Sequence, residues 1–279
     1  MKRALLILLA VCLAACSGEE ITPEVLVVEG WIEEGRAPVV YHTTSLVPKE
    51  EPESFEDIGS HIVKWAKVTI SDGDEDVILT GTASKRFYPP YAYTTGKMTG
   101  VAGKTYTLTV EYGGVTAQAS ATVQPSKALS ALPEPVRQEN GTYSISARFE
   151  DDPSTEDYYR FFHKVEKVDS VFIPSPFCFM ADDVTEAVIL PGHSVARSAD
   201  DTADFLLLSG FNSGDRVQVK FCTMERQMYR FWKAFEEQTH LTGVPLFTID
   251  GNLPGNVTGD RAIGYFAAYG STVYSVQIP

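Results

Sequence analysis

The sequence predicts a mainly β protein, with two β-rich domains in succession and one amphipathic helix in the second. Three observations predict it. Short runs rich in Val, Ile, Thr and Tyr recur from Glu24 to Val123 with turn residues between them. A proline-bearing stretch at 125–135 interrupts the chain near its middle. The segment 225–239 carries apolar residues at helical spacing. The 21 Gly and 16 Pro follow no period, which excludes a collagen-like chain. Hydrophobic residues, at 44%, are too many for a disordered one.

Residues 1–15 read as a signal peptide. Lys2 and Arg3 precede an apolar run, Ala4 to Ala15, too short to span a bilayer as a helix. Leu13-Ala14-Ala15-Cys16 fits the bacterial lipobox, so Cys16 is the expected lipid attachment site and mature N-terminus. Residues 16–23 then form a lipidated linker. Loss of Lys2 and Arg3 takes the formal net charge from −14 to −16. A body so acidic, with no Lys/Arg cluster, excludes nucleic acid as a partner. An anionic membrane would not attract it either, so the acyl chains must hold it to the outer membrane.

The first domain, 24–124, begins with the apolar run Val25–Val28 leading to Trp31, followed by Val39-Val40-Tyr41. Residues 48–60 are a loop rich in Glu, Pro and Ser. Lys67–Ile70 and Asp76–Thr80 are strands around the turn 71–75. Asp72, Asp74 and Asp76 have the alternation of a calcium loop but lack its length and closing glutamate, so a hairpin turn is expected. Thr105–Glu111 and 115–123 form a hairpin around Gly113-Gly114. The stretch Gly103–Val110 has the pattern of an immunoglobulin- or fibronectin-like β-sandwich, in which Tyr106 is either a tyrosine-corner residue or an ordinary core tyrosine.

Residues 125–135 are the expected linker and 136–279 the second domain. Thr142–Phe149, Tyr158–Val168, Phe205–Ser209 and Arg216–Thr223 read as strands, and 174–204 as an irregular segment. Phe177, Phe179 and Met180 in it are costly to leave in water, which makes them candidates for a partner surface, or else for core beneath the loop. Met228, Tyr229, Trp232 and Phe235 form the stripe of the helix 225–239, with Thr223 as N-cap, packed on a sheet. Residues 263–278 read as two closing strands punctuated by Gly264 and Gly270.

After removal of the signal, Cys178 and Cys222 accompany the lipidated Cys16. An even pair in an oxidising compartment is a disulfide candidate, with two separate buried thiols as the alternative. His42, His61, His163, His193 and His240 are scattered without ligand spacing, so neither a metal nor a cofactor is expected. Gly192-His193-Ser194-Val195-Ala196 is one residue short of a nucleophile elbow, and Asp182, Asp183 and Glu186 form a second weak carboxylate cluster.

Three blocks in order carry a family resemblance: Leu26–Ile32, Lys67–Ile70 with its acidic turn, and the C-terminal set Tyr229–Trp232, Asn252–Val257 and Gly264–Tyr269. Together they resemble the Bacteroidota lipoprotein family catalogued as domain of unknown function 4249, over nearly all of the mature chain. Members are typically encoded beside a TonB-dependent receptor. The resemblance implies a non-catalytic outer-membrane lipoprotein that captures or gates a small-molecule or oligomeric nutrient for such a receptor. A structural or adhesive surface module and, less favoured, a hydrolase stand as alternatives. Glu19-Glu20 behind Cys16 resemble a surface-export signal, which implies display at the cell surface, the periplasmic face being the alternative. Asp169-Ser170-Val171 and Asp201-Thr202-Ala203 resemble the O-glycosylation pattern of the same bacteria, with Ser170 and Thr202 as acceptors.

Overall fold

The computed structural model describes residues 25–45, 61–84, 89–181, 187–197, 204–207, 209–239 and 253–279. Cys16, Thr202, the 48–60 loop and the 182–186 carboxylates lie outside the described residues. In chain order the first half carries β1 (Leu26–Glu33), β2 (Val39–Thr44), β3 (Lys67–Ser71), β4 (Asp76–Ile78), β5 (Thr80–Ala83), β6 (Tyr91–Thr94), β7 (Thr105–Tyr112) and β8 (Val115–Thr122). The second half carries β9 (Glu134–Arg137), β10 (Tyr143–Arg148), β11 (Tyr158–Val165), β12 (Ile173–Ala181), β13 (Ala187–Leu190), β14 (Ser194–Arg197), β15 (Asp204–Leu207) and β16 (Arg216–Met224). The helix α1 (Arg226–Thr239) and β17 (Ala262–Gln277) close the chain.

The mainly β expectation holds, and the period-2 pattern explains why. In β7, Tyr106, Leu108 and Val110 are buried while Thr105 and Glu111 face solvent. Gly113 and Gly114 take φ of 57° and 79°, the positive angles that a two-residue hairpin requires. The Tyr106 hydroxyl donates to Thr99 O at 3.0 Å and accepts from Val101 N at 3.0 Å, the upstream backbone contacts of a tyrosine corner.

An eight-stranded sheet in the order β12-β11-β16-β17-β1-β2-β6-β5 joins the two halves. One four-stranded sheet, β4-β3-β7-β8, serves the first half, and a three-stranded sheet, β13-β10-β9, the second. β17 is a single 16-residue strand rather than two. Its first eight residues pair in parallel with β1, Leu26 opposite Ala262 through Glu33 opposite Tyr269. Its last eight pair antiparallel with β16, from Gly270 opposite Thr223 to Gln277 opposite Arg216.

The side chains of β17 divide the interior. Ala262, Phe266 and Ala268 belong to the first core, with Val28, Val40, Ile70 and Leu108. Tyr274 and Val276, on the same face, join the second core of Ile145, Phe149, Phe161 and Phe221. The expected boundary at 125–135 lies where one core gives way to the other, yet β17 contributes to both. Gly270 marks the seam. A Cβ there would meet Gln124 O at 2.2 Å and Ser126 N at 2.5 Å, so only glycine lets the connecting segment cross the strand.

The opposite face of β17, Tyr265, Ala267 and Tyr269, lies under α1. Met228, Trp232 and Phe235 are buried there as the periodicity predicts, and Phe231 with them. Thr223 does not cap the helix. Its hydroxyl is turned to Pro125 O (2.8 Å) and Gly270 O (3.3 Å), while Glu225 O accepts from Met228 N and Tyr229 N in the first turn.

Candidate functional site: a buried histidine chain behind a polar cleft

Most of the described residues of the 174–204 segment are strand rather than irregular loop. They belong to β12, β13 and β14. Pro174 and Pro176 suggest a loop, but β12 is an edge strand, where a missing N–H costs no ladder bond. The pairing of β12 with β11 slips between Arg160 and Phe162, so that Arg160 faces Phe179 and Phe162 faces Pro174. This irregularity turns Ser175 and Cys178 inward, where both are buried. Met180 is half-buried against the second core. Phe177 and Phe179 lie on the same edge strand.

The expected disulfide is not formed: Cys178 and Cys222 are free, buried thiols. β11 lies between their strands, which puts the residues about two strand spacings, roughly 10 Å, apart, beyond the Cα separation of a disulfide. They also serve different cores on opposite faces of the sheet, Cys178 the second and Cys222 the one beneath α1. Burial pushes both thiols up to about 12, so neither is a nucleophile at neutral pH.

Ser175 reaches a constellation that spacing along the chain does not betray. Its Oγ lies 2.7 Å from His163 Nδ1, His163 Nε2 lies 2.6 Å from His193 Nδ1, and His193 Nε2 lies 3.0 Å from Asp169 Oδ1. The other Asp169 oxygen accepts from Val165 N at 2.7 Å, which fixes the carboxylate in the β11–β12 turn. Ser175, His163 and His193 are each at most 4% exposed. An ionised Asp169 makes His193 Nε2 a donor, leaving His193 Nδ1 to accept from His163 Nε2 and His163 Nδ1 to accept from the serine hydroxyl. Every donor in the chain thus points toward the carboxylate. Burial is the main cause that lowers His163 to about 3, so its ring is neutral at physiological pH.

These four residues have the types of a hydrolytic triad with an extra imidazole, but the serine is wholly buried. Nor does the Ser194 string form a nucleophile elbow, since Ser194 opens β14 where the elbow needs a strand, a turn and a helix. Both ring nitrogens of His193 are engaged, so it is not a base for Ser194. Of the O-glycosylation candidates, Ser170 is exposed in the β11–β12 turn, while the acid of its pattern, Asp169, is committed to the histidine chain. The carboxylates of the Asp72 turn are engaged within the chain. Asp72 Oδ1 accepts from Asp74 N and Glu75 N, and Lys104 Nζ lies 2.5 Å from Asp72 Oδ2 and 3.2 Å from Asp74 Oδ2.

Gly192, at φ +70°, packs on Gly210 and Phe211, and Phe211 stands edge-on to His163 at 5.3 Å. In front of this wall lies a cleft of about 560 Å³, lined by Gln138, Asn140, Thr142, Ser144, Ile189 and Pro191 among others. Its lining mixes amides, hydroxyls and the Glu139 carboxylate with the apolar Ile189 and Pro191.

Two buried ion pairs brace the sheet on the face that α1 covers. Arg160 Nη2 donates to Glu236 Oε1 at 2.8 Å with its guanidinium 4.1 Å from the Trp232 ring, and Trp232 Nε1 donates to the Tyr269 hydroxyl. Lys220 Nζ meets Glu33 Oε1 at 2.5 Å, and Ser271 supplies a hydroxyl to Glu33 Oε2. Burial alone would raise the Glu33 carboxyl, but Lys220 overrides it and holds the acid below its ordinary value.

The sequence profile described as domain of unknown function 4249 matches residues 16–275. The chain belongs to that family. The match opens at Cys16 and covers both cores, α1 and nearly all of β17, so the family unit is the whole two-core body. No curated protein matches this family member by sequence.

Proposed function

We propose that this protein is a non-catalytic lipoprotein of the outer membrane that serves a TonB-dependent receptor, capturing or gating its nutrient at the cell surface. The observation that carries the reading is the lipobox Leu13–Cys16, with the family match opening at Cys16 itself. The geometry supports it in two ways. The constellation with catalytic residue types is buried, so it serves as an internal polar network on this reading. The polar cleft offers a place for a small cargo, close in size to ordinary ligand sites.

The test is affinity purification of the detergent-solubilised lipoprotein from its own envelope, with identification of what accompanies it. A TonB-dependent receptor is the expected companion, recovered in comparable amount. A preparation that retains its acyl chains but brings no receptor would overturn the assignment and leave the structural surface module.

A further inference from the structure

Trp65 is 90% exposed, although a tryptophan is among the side chains that gain most from burial. It does not hang on a slack loop. The Tyr93 hydroxyl donates to Val63 O at 3.1 Å and accepts from Ala66 N at 2.9 Å, bracketing the turn on both sides. The Tyr91 hydroxyl donates to Lys64 O at 2.8 Å. Room for that hydroxyl comes from Gly81, where a Cβ would sit 2.1 Å from it. Two tyrosines and a glycine therefore fix the backbone that presents the indole to solvent.

The turn lies near the point where the chain enters the body. Ser45 N donates to Val25 O and Thr44 N donates to His61 O, so the start of β1, the end of β2 and the start of the 61–65 segment lie side by side. Four residue steps from His61 to Trp65 cover at most about 14 Å. Nine steps separate Val25 from Cys16 and reach at most about 30 Å. Exposed Lys64 and Lys67 flank the indole in an otherwise acidic chain, Lys67 also reaching Glu111.

We propose that Trp65 is a second membrane contact, its indole seated in the headgroup region of the lipid surface that carries the Cys16 acyl chains. An exposed indole with lysines beside it is the chemistry of an interfacial anchor. A tether this short keeps the turn within reach of the bilayer. The contact would orient the body on the membrane, which a single point of attachment does not do. The inference rests on the lipoprotein reading, and its test is arranged so that the two fail separately.

Mature lipoprotein is reconstituted into vesicles of phosphatidylethanolamine and phosphatidylglycerol, part of the acyl chains brominated, and its tryptophan emission is compared with that of a Trp65→Phe variant. Wild-type emission should be quenched by the brominated lipid, and the substitution should lower the fractional quenching about twofold or more, because Trp232 is buried and Trp31 half-buried. Equal quenching in the two proteins overturns the contact. Flotation of the protein with the vesicles reads the acyl anchor separately. Should it not float, a hexahistidine-tagged chain starting at residue 17, held on nickel-chelating vesicles of the same composition, puts the same question without Cys16. A Trp65→Phe variant that keeps its lipid quenching pattern but loses a co-purifying receptor assigns the indole to a protein partner and overturns the proposal.

Discussion

His42 is buried in β2 against the Tyr93 ring, and neither of its ring nitrogens has a hydrogen-bond partner. Burial lowers it to about 3, as it does His163. Both histidines are neutral in the folded chain and protonate near 6.5 once unfolded. The folded state therefore binds fewer protons between pH 6.5 and 3, and the stability they lend is full above pH 6.5 and lost as pH falls through that window, at about 1.4 kcal/mol per pH unit for each. His42→Leu removes an unsatisfied polar ring, so it should stabilise at pH 7 by about 1–2 kcal/mol and flatten the acid slope by one proton. Urea unfolding at pH 7, 6 and 5 checks both, and an unchanged slope would refute the account of His42. Of this residue scale the sequence shows some parts and hides others. Tyr106 is legible because a tyrosine corner is local. The Ser175–His163–His193–Asp169 chain is not, because a strand irregularity and a turn bring together residues with no common spacing.

At the scale of elements, the strands with clean alternation and α1 are legible, and the errors have physical causes. Prolines in β12 mimic a loop because an edge strand does not need their N–H groups. β5 has no apolar face to announce it: its residues are Thr80, Gly81, Thr82 and Ala83. One device sits on no element at all. The Asn256 amide donates to Phe266 O at 2.8 Å and to Ser120 O at 3.0 Å, and its oxygen accepts from Phe266 N at 2.8 Å. A side chain thus pairs with the free edge of β17 as a neighbouring strand would, and ties it to β8. Asn256→Ala leaves the Phe266 backbone groups unpaired in a half-buried place and should cost about 2–3 kcal/mol. Chemical denaturation measures this, and a midpoint equal to wild type would remove the amide from the structural account.

At the scale of the whole molecule, the parallel pairing of β1 with β17 has no local signature, since the partners lie at opposite ends of the chain. Reading each half separately therefore finds two domains, whereas the first core needs Phe266 and Ala268 from the last strand. Residues 25–124 produced alone lack that strand and expose the inner edge of β1. They should show neither a cooperative unfolding transition nor a native near-ultraviolet spectrum, while the mature chain unfolds in one step. A cooperative melt of the isolated segment would show instead that the first core is self-sufficient.

The position of β17 also bears on biosynthesis. A core whose wall is the last segment to leave the ribosome cannot close during synthesis, and its long-range pairing makes closure slow. On the lipoprotein reading proposed above, the chain threads a translocon unfolded. By holding back the strand that contributes to both cores, this topology keeps the nascent protein pliable and, on that same reading, reserves consolidation for the far side of the membrane.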